Sequence, residues 1–141
     1  MTNAQLPATR VIWVIEDNPD HALLIAAQLE LLPTNSVITM TQDGEQALRC
    51  IADWPGLPGA LPEMVLLDLQ LPKAGGVEVL RALRASAAWG GVLVVILSTS
   101  AVPSDVELCF QNGANAYLTK GRDLVHLAER VTEIGVNWSN V

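Results

Sequence analysis

The sequence predicts an α/β fold in which five parallel strands form one doubly wound sheet covered by five helices. Short apolar runs alternate along the chain with segments of helical periodicity, which is typical of a parallel sheet with helices on both faces. Half of the 141 residues are hydrophobic and only 16% are charged, so the chain can bury the core of one domain. A mainly disordered chain is therefore excluded.

The first strand and the helix after it are the most clearly marked pair. Residues 11–15 (VIWVI) are a continuous apolar run, which predicts a strand buried on both faces. Pro19 suits the first turn of the following helix, with Asn18 or Asp17 as its cap. Pro33 ends this helical segment.

Four further strands are marked by short apolar or alternating runs that end in polar residues. These predicted strands are residues 36–41, 63–67, 92–97 and 116–119. Apolar residues at helical spacing predict helices at residues 45–52, 77–87, 103–111 and 124–134. Gly113 is expected to stop the fourth helix, and residues 54–62 (WPGLPGALP) form a loop because Pro and Gly dominate them.

We expect one domain over residues 10–135, with a flexible segment, residues 1–9, before it and a short tail, residues 136–141, after it. The first ten residues lack the apolar stretch of a signal peptide. The longest apolar run, residues 92–97, is far too short to span a membrane. These observations predict a cytoplasmic protein.

The charge balance limits the classes of partner. Fifteen acidic against eight basic residues give a formal net charge of -7. Nucleic-acid-binding proteins usually carry a basic face and anionic membranes attract basic segments, so neither nucleic acid nor a membrane is an expected partner. Cys50 and Cys109 lie in helical patterns and are expected to be buried thiols rather than a disulfide.

Polar side chains follow four of the five predicted strands. Glu16 and Asp17 follow the first strand, Asp68 the third, Ser98 the fourth and Lys120 the fifth. In open α/β sheets the functional site lies at the carboxyl ends of the strands, where we expect these residues to meet. Three carboxylates at one edge repel each other unless a cation lies among them. Oxygen ligands without His or Cys favour Mg²⁺ or Mn²⁺, so the sequence predicts a site for such an ion.

The same residues have complementary chemistry. A strand-end carboxylate beside a metal ion, here Asp68, can attack a phosphoryl group as a nucleophile. The Ser98 hydroxyl and the Lys120 ammonium are suited to holding the oxygens of the resulting phosphate. Taken singly, each polar residue could instead be a turn residue or a helix cap. Taken together, they favour a phosphoryl-transfer site.

On these residues the sequence resembles the receiver domain of two-component response regulators. The matching pieces are Glu16-Asp17 after the first strand, Asp68 in LLDLQLP, Ser98 in VVILSTS and Lys120 in NAYLTK. Their order and spacing match over nearly the whole chain. The resemblance implies a flavodoxin-like receiver fold.

The resemblance implies a role for each matching residue. Asp68 would accept a phosphoryl group from a phosphohistidine of a sensor histidine kinase. Ser98 would bond a phosphate oxygen, and Lys120 would form an ion pair with the phosphate. Tyr117 would be the aromatic switch that turns inward when the hydroxyl moves. Mg²⁺ would be organised by Glu16 and Asp17, with Asp17, Asp68 and the backbone carbonyl of Gln70 as direct ligands.

One residue departs from the family pattern, because Gly121 follows the lysine where the family usually has Pro, often with a cis bond. We expect a trans bond here, since a cis bond before any other residue costs about 3 kcal/mol. Two motifs, EDNPDH and GANAYLTK, resemble the single-domain regulators paired with bacterial phytochromes. This resemblance implies a phytochrome kinase as partner.

The predicted function is a stand-alone switch that acts by protein contact or passes its phosphoryl group to a phosphotransfer protein. It would be no enzyme beyond catalysing its own phosphoryl transfer and autodephosphorylation. By the resemblance, we expect a homodimer through the face of the fourth helix, fifth strand and fifth helix. Two alternatives stay open: a binding module that signals without phosphorylation, and a haloacid dehalogenase-like phosphatase. The phosphatase is disfavoured because Gln70 stands where that class needs a second Asp.

Other polar and aromatic residues are given structural positions. Surface positions are expected for His21, His126, Arg81 and Arg84. Trp13 is expected in the core, whereas Trp54 and Trp89 fall in predicted loops. Trp138 follows the last predicted helix, where it would cap the core or extend an interface.

Overall fold

The structure is a computed structural model that describes the backbone of residues 10–55 and 61–139 and side chains as far as residue 135. The strands are β1 (Arg10–Ile15), β2 (Ser36–Thr41), β3 (Met64–Leu67), β4 (Leu93–Ser98) and β5 (Ala116–Thr119). The helices are α1 (Pro19–Leu29), α2 (Gly44–Ala52), α3 (Gly76–Ala85), α4 (Pro103–Gln111), α5 (Lys120–Asp123) and α6 (Leu127–Ser139). Among the described residues, no helix has both the length and the apolar character needed to cross a membrane.

The predicted strands are found within one residue of their expected ends, and the doubly wound fold is confirmed. Segment 1–9, loop residues 56–60 and the Trp138 side chain lie outside the described residues. The backbone of α6 continues to Ser139, into the segment expected as a tail.

The five strands form one parallel sheet in the order β2-β1-β3-β4-β5. The connections run to opposite sides from β1 and β3, so the topological switch point lies between these two strands. Ile15 of β1 pairs with Leu67 of β3, and Leu67 pairs with Ile96 of β4. The residues that follow these strands therefore lie next to one another at one edge of the sheet.

The alternation of side chains along the strands divides the core into two layers. Trp13 and Ile15 face the layer formed with α2, α3 and α4, whereas Ile12 and Val14 face the layer formed with α1 and α6. Cys109 is buried in the first layer and is a free thiol, as is the half-buried Cys50. Both layers are closed by helices, which explains why the central strands are apolar on both faces.

Three tryptophans form a cluster in the first layer. The ring centroids of Trp13, Trp54 and Trp89 are 5.2–5.5 Å apart, and the rings are tilted against one another. Trp89 Nε1 donates to the Ile51 carbonyl at 3.0 Å, and Trp13 Nε1 donates to Thr41 Oγ1 at 3.0 Å. Trp89 lies in a turn, as predicted, but it is a core residue.

The last helix differs from the prediction of one continuous helix over residues 124–134. A one-turn helix, α5, and a 3-10 turn, Leu124–His126, precede α6. The buried Asp123 carboxylate accepts hydrogen bonds from Thr119 N–H and from Arg130, and these bonds hold the extra turn against the end of β5. The predicted apolar stripe survives the break, because Leu127 and Val131 are buried against the sheet.

The expected surface position of Arg84 is wrong. Its guanidinium donates to the carbonyls of Gly113 and Val92 at 2.9 and 2.8 Å and to Asn115 Oδ1 at 2.7 Å. Burial lowers the pKa of Arg84 below its ordinary value. Arg84 therefore ties α3 to the chain before β4 and β5. Gly113 has a φ of +99°, a left-handed conformation that suits the helix stop expected of this glycine.

We expect Trp89→Ala to lower the free energy of unfolding by about 3–5 kcal/mol, because it leaves a cavity beside Trp13 and Trp54. Urea unfolding followed by far-UV circular dichroism measures the loss. Leu23→Ala, which truncates an exposed apolar side chain on α1, is the matched control and should change stability little. Equal losses in the two variants would contradict a role for the cluster in the core.

Candidate functional site

The carboxyl edge of the sheet carries the predicted site residues. Glu16 directly follows β1 and Asp68 directly follows β3, next to the paired residues Ile15 and Leu67. The ladder continues one step further, because Asp68 N–H donates to the Ile15 carbonyl at 3.1 Å. Lys120 is the first residue after β5. The ends of the strands therefore fix the backbone positions of Glu16, Asp68 and Lys120.

An acidic cluster lies at the switch point between β1 and β3. Carboxylate oxygens of Glu16, Asp17 and Asp68 all lie within 4.8 Å of one another. Glu16 and Asp68 are 3% and 5% exposed, whereas Asp17 is open to solvent. An oxygen-only donor set of this kind suits Mg²⁺ or Mn²⁺. The structure brings together the three carboxylates that the sequence predicts for a metal site.

The Lys120 ammonium lies among these carboxylates. Its Nζ is 2.7 Å from Glu16 Oε1 and 3.2 Å from Asp68 Oδ2. Burial raises the pKa of Glu16 above its ordinary value, and the Asp68 carboxylate adds to this increase, although the hydrogen bond from Lys120 opposes it. Because Lys120 is also buried, these ion pairs are screened less by solvent than surface pairs are.

Gly121 does not prevent the placement of Lys120. Within the described residues every peptide bond is trans, as expected for the bond after the lysine. The Asp123 carboxylate accepts from Thr119 N–H at 2.9 Å and from Arg130 Nε at 3.2 Å. These bonds fix the point at which the chain leaves β5. Lys120, the residue directly after Thr119, thus follows a hydrogen-bonded strand end.

The other carboxylate oxygen of Asp68 and the Ser98 hydroxyl are held by backbone amides. Asp68 Oδ1 accepts from Gln70 N–H at 3.1 Å, and Ser98 Oγ accepts from Ser100 N–H at 3.1 Å. Ser98 is fully buried, and its O–H proton stays available for another acceptor. Thr99 Oγ1 donates to Gln70 Oε1 at 3.1 Å, so the loops after β3 and β4 contact each other.

Tyr117 contacts the loop after Ser98 directly. The half-buried Tyr117 ring lies on β5, and its hydroxyl donates to the Ser100 carbonyl at 2.7 Å. The Ser100 hydroxyl in turn bonds the Asp105 carboxylate in the first turn of α4. Ser100 therefore connects Ser98, Tyr117 and α4 through its N–H, its carbonyl and its hydroxyl.

His21 is a site residue that the sequence analysis missed. It was expected at the surface, but its side chain is only 31% exposed and Nδ1 lies 3.0 Å from Lys120 Nζ. The same nitrogen is 3.9 Å from Glu16 Oε2. One signal was available in the sequence: His21 lies in the first turn after Asn18, at the carboxyl end of the first strand. His126, by contrast, is exposed as expected.

The comparison with known proteins decides the family. Residues 12–132 match the family described as response regulator receiver domain. The chain belongs to this family. Among relatives of this receiver, the probable methanogenesis regulatory protein FilR2 of Methanothrix harundinacea is 36% identical over 132 residues, which cover 92% of this chain and 85% of the relative. The response regulator Rcp1 of Synechocystis is 30% identical, covering 92% of this chain and 88% of the relative.

Solved structures of other receivers share the fold. The phosphorylated cyanobacterial phytochrome response regulator RcpA has a TM-score of 0.79 at 30% identity, over 93% of this chain and 94% of that one. Mn²⁺-bound Rcp1 has a TM-score of 0.76 at 30% identity, over 92% and 94%. The receiver of the sensor histidine kinase PA1611 of Pseudomonas aeruginosa, with magnesium in its active-site cleft, has a TM-score of 0.74 at 30% identity, over 91% and 99%.

Asp123 makes the stability of this receiver depend on pH. Burial raises the pKa of Asp123, but hydrogen bonds from Thr119 N–H and the guanidinium groups of Arg122 and Arg130 outweigh burial and leave the pKa below its ordinary value. A lowered carboxyl pKa stabilises the folded state above the unfolded-state pKa, and this stabilisation is lost as pH falls through the folded-state pKa. We therefore expect Asp123→Asn to destabilise the protein by about 1–3 kcal/mol at neutral pH.

Urea unfolding across a pH series tests this expectation. The difference between wild type and Asp123→Asn should shrink as the pH becomes acidic, because the wild-type carboxyl is then protonated too. Asp53→Asn, which removes an exposed carboxylate after α2, is the control and should show no such trend. A difference that is independent of pH would show that the Asp123 charge does not stabilise the fold.

Proposed function

We propose that Asp68 accepts a phosphoryl group from a phosphohistidine of a sensor histidine kinase, and that the receiver signals through the resulting change of its surface. The observation that carries this proposal is the position of the Lys120 ammonium, 3.2 Å from Asp68 Oδ2 and 2.7 Å from Glu16 Oε1, beside the acidic cluster. A carboxylate flanked by a fixed cation and by metal-ligating oxygens is equipped to attack phosphorus.

The transfer exchanges one bond to phosphorus for another. A carboxylate oxygen of Asp68 forms a bond to phosphorus while the bond from phosphorus to the kinase imidazole nitrogen breaks, and that nitrogen keeps the electron pair. Lys120 offsets the charge of the phosphoryl oxygens. The Gln70 N–H, which donates to Asp68 Oδ1 at 3.1 Å, holds the carboxylate in a fixed orientation for the attack. Later hydrolysis of the acyl phosphate returns Asp68 to its carboxylate form.

The acidic cluster is proposed as the site of Mg²⁺ or Mn²⁺. Asp17 and Asp68 would be direct carboxylate ligands, Glu16 would organise the ion, and the backbone carbonyl of Gln70 would add a ligand. The donor set fits, because carboxylate oxygens within 4.8 Å of one another supply hard ligands without nitrogen or sulfur. When bound, the ion would neutralise charge on the phosphoryl oxygens. Bound Mn²⁺ in Rcp1 and magnesium in the PA1611 receiver support this assignment.

Ser98, Ser100 and Tyr117 are proposed to convert phosphorylation into a change of shape. A phosphoryl group on Asp68 adds negative charge and acceptor oxygens near the free Ser98 O–H proton. Movement of Ser98 toward that phosphate displaces Ser100, whose carbonyl holds the Tyr117 hydroxyl at 2.7 Å. Phosphorylation then favours one of two existing arrangements of this loop.

Output is proposed to occur by protein contact. Val102, directly before α4, and Phe110 of α4 are 52% and 48% exposed, with the half-buried Val106 between them. These residues lie on one side of the helix at intervals of four positions. The face of α4, β5 and α6 is therefore our proposed homodimer surface, and onward transfer to a phosphotransfer protein is the other proposed output.

The remaining assignments follow from the family and the charge. We propose a cytoplasmic receiver domain over residues 10–135, flanked by segments 1–9 and 136–141, which acts on proteins and not on nucleic acid or membranes. RcpA and the bacteriophytochrome response regulator RtBRR, which is 30% identical over 91% of this chain and 79% of that one, support a bacterial phytochrome as the kinase. We propose that the receiver catalyses only its own phosphorylation and its own dephosphorylation.

The phosphoacceptor role predicts a single phosphoryl adduct when the protein is incubated with Mg²⁺ and acetyl phosphate, as measured by intact-protein mass spectrometry. Asp68→Asn should abolish the adduct, because an amide cannot attack phosphorus in this way. Asp17→Asn, or removal of Mg²⁺ with a chelator, should slow its formation by at least about tenfold. Asp20→Asn, which changes an exposed acid in α1, is the matched control.

Each of the other outcomes would indicate a different function or a different acceptor residue. No adduct under any condition would favour a binding module that signals without phosphorylation. Steady turnover of phosphate esters would favour the phosphatase alternative. An adduct that persists in Asp68→Asn would place the acceptor at another residue.

The proposed dimer surface predicts that Phe110→Lys weakens self-association by about tenfold or more, because a charge replaces an apolar contact in the proposed face. Sedimentation velocity with and without acetyl phosphate measures the effect. Leu23→Lys is the matched control, because Leu23 is 71% exposed on α1, outside the proposed face. A wild type that stays monomeric in both conditions would rule out the dimer.

A further inference from the structure

His21 lies at the edge of the site, and the proposed phosphoryl transfer gives it no role. Its backbone is fixed in the first turn of α1, where its N–H donates to the Asn18 side chain at 3.1 Å. Its ring reaches the border of the acidic cluster, with Nδ1 3.0 Å from Lys120 Nζ and 3.9 Å from Glu16 Oε2. A side chain with a capped backbone and a buried polar contact is held in one place.

The hydrogen bond between His21 and Lys120 has only one possible direction. A lysine ammonium donates hydrogen bonds and accepts none, so His21 Nδ1 is the acceptor and the ring proton lies on Nε2. The ammonium has three N–H groups, and three acceptors surround it among the described residues. These are Glu16 Oε1 at 2.7 Å, His21 Nδ1 at 3.0 Å and Asp68 Oδ2 at 3.2 Å.

We propose that His21 is a positioning residue that holds the Lys120 ammonium beside Asp68 for phosphoryl transfer. This inference rests on the proposed role of Asp68 as phosphoacceptor. When an Asp68 oxygen becomes bonded to phosphorus, one Lys120 N–H turns to a phosphoryl oxygen. His21 and Glu16 retain the other two N–H groups.

Without His21, the ammonium loses its one uncharged acceptor. Glu16 and Asp68 then hold the ammonium alone, and its third N–H loses the acceptor that fixes its direction. The incoming phosphoryl oxygens meet a less well placed cation, which slows transfer without preventing it. The placement of Lys120 requires a hydrogen-bond acceptor at the position of His21 Nδ1, and this acceptor need not belong to an imidazole ring.

Two substitutions of His21 separate these requirements. His21→Leu removes the acceptor, whereas His21→Asn keeps an oxygen near the place of Nδ1. At saturating Mg²⁺, we expect His21→Leu to lower the rate of Asp68 phosphorylation by acetyl phosphate by about threefold to tenfold, the worth of one hydrogen bond. His21→Asn should restore most of that rate. His126→Leu, which changes the chain's other histidine at an exposed position, is the matched control.

A double-mutant cycle tests whether His21 acts through Lys120. In a Lys120→Met background, His21→Leu should have no further effect on the phosphorylation rate, because the donor of the contact is already gone. Nitrogen NMR of the wild-type ring in alkaline buffer gives an independent measurement. It should report a proton on Nε2 and none on Nδ1.

Several results would overturn the inference. An unchanged or faster rate in His21→Leu, equal losses in His21→Leu and His21→Asn, a loss that persists without Lys120, or a proton on Nδ1 would each do so. These failures leave the phosphoacceptor role intact, because the wild type is still phosphorylated. A wild type that takes up no phosphoryl group would instead contradict the proposed function and, with it, this inference.

Discussion

The ion pairs of Lys120 with Glu16 and Asp68 are the interaction on which the rest of the structure depends. Two buried carboxylates and one buried ammonium are each costly alone, and removal of a partner leaves an uncompensated charge. Their mutual satisfaction requires that three strand ends meet with an accuracy of a few tenths of an ångström. The register of β1 with β3 supplies part of that accuracy, and the bonds of Asp123 at the end of β5 supply the rest. The strand register and the Asp123 bonds therefore position Lys120, Glu16 and Asp68 relative to one another.

This arrangement has two sides that meet at Asp68. On one side, Glu16 and Asp17 complete an acidic cluster that suits a divalent cation. On the other side, Ser98 begins a loop whose hydrogen bonds reach Tyr117 and α4. The proposed phosphorylation of Asp68 would change the charge at the ion pairs with Lys120 and, through Ser98, the contacts of this loop.

Much of the fold could be predicted because the central strands are buried on both faces and appear as short apolar runs. The site could be predicted because parallel strands bring their carboxyl ends together, so Glu16, Asp68 and Lys120 had to be neighbours. The predictions that failed concern residues whose positions depend on contacts between distant parts of the chain. Arg84 finds its acceptors around residues 92–115, and Trp89 finds its place beside residues from two other segments.

His21 belongs to the same class of failure, whereas the break in the last helix lies beside local contacts. The buried Asp123 carboxylate bonds Thr119 N–H and Arg130, four residues before it and seven after it, and helical spacing does not reveal such a break. Composition likewise marks His21 as polar, but its contact with a lysine 99 positions away is visible only in three dimensions. At Gly121, by contrast, the sequence alone was sufficient, because the trans bond expected after Lys120 is confirmed.

The tryptophan cluster has a consequence for how this protein responds to light in the ultraviolet. Indole rings whose centroids are 5.2–5.5 Å apart couple electronically and exchange excitation energy. The optical signals of Trp13, Trp54 and Trp89 therefore depend on how the three rings are packed together. Its fluorescence and near-ultraviolet circular dichroism report on the packing of the sheet against α2 and α3, the layer to which Ile15 and Leu67, the residues just before Glu16 and Asp68, also belong. Changes in the packing of the core layer next to Glu16 and Asp68 can therefore be followed by tryptophan fluorescence without an added label.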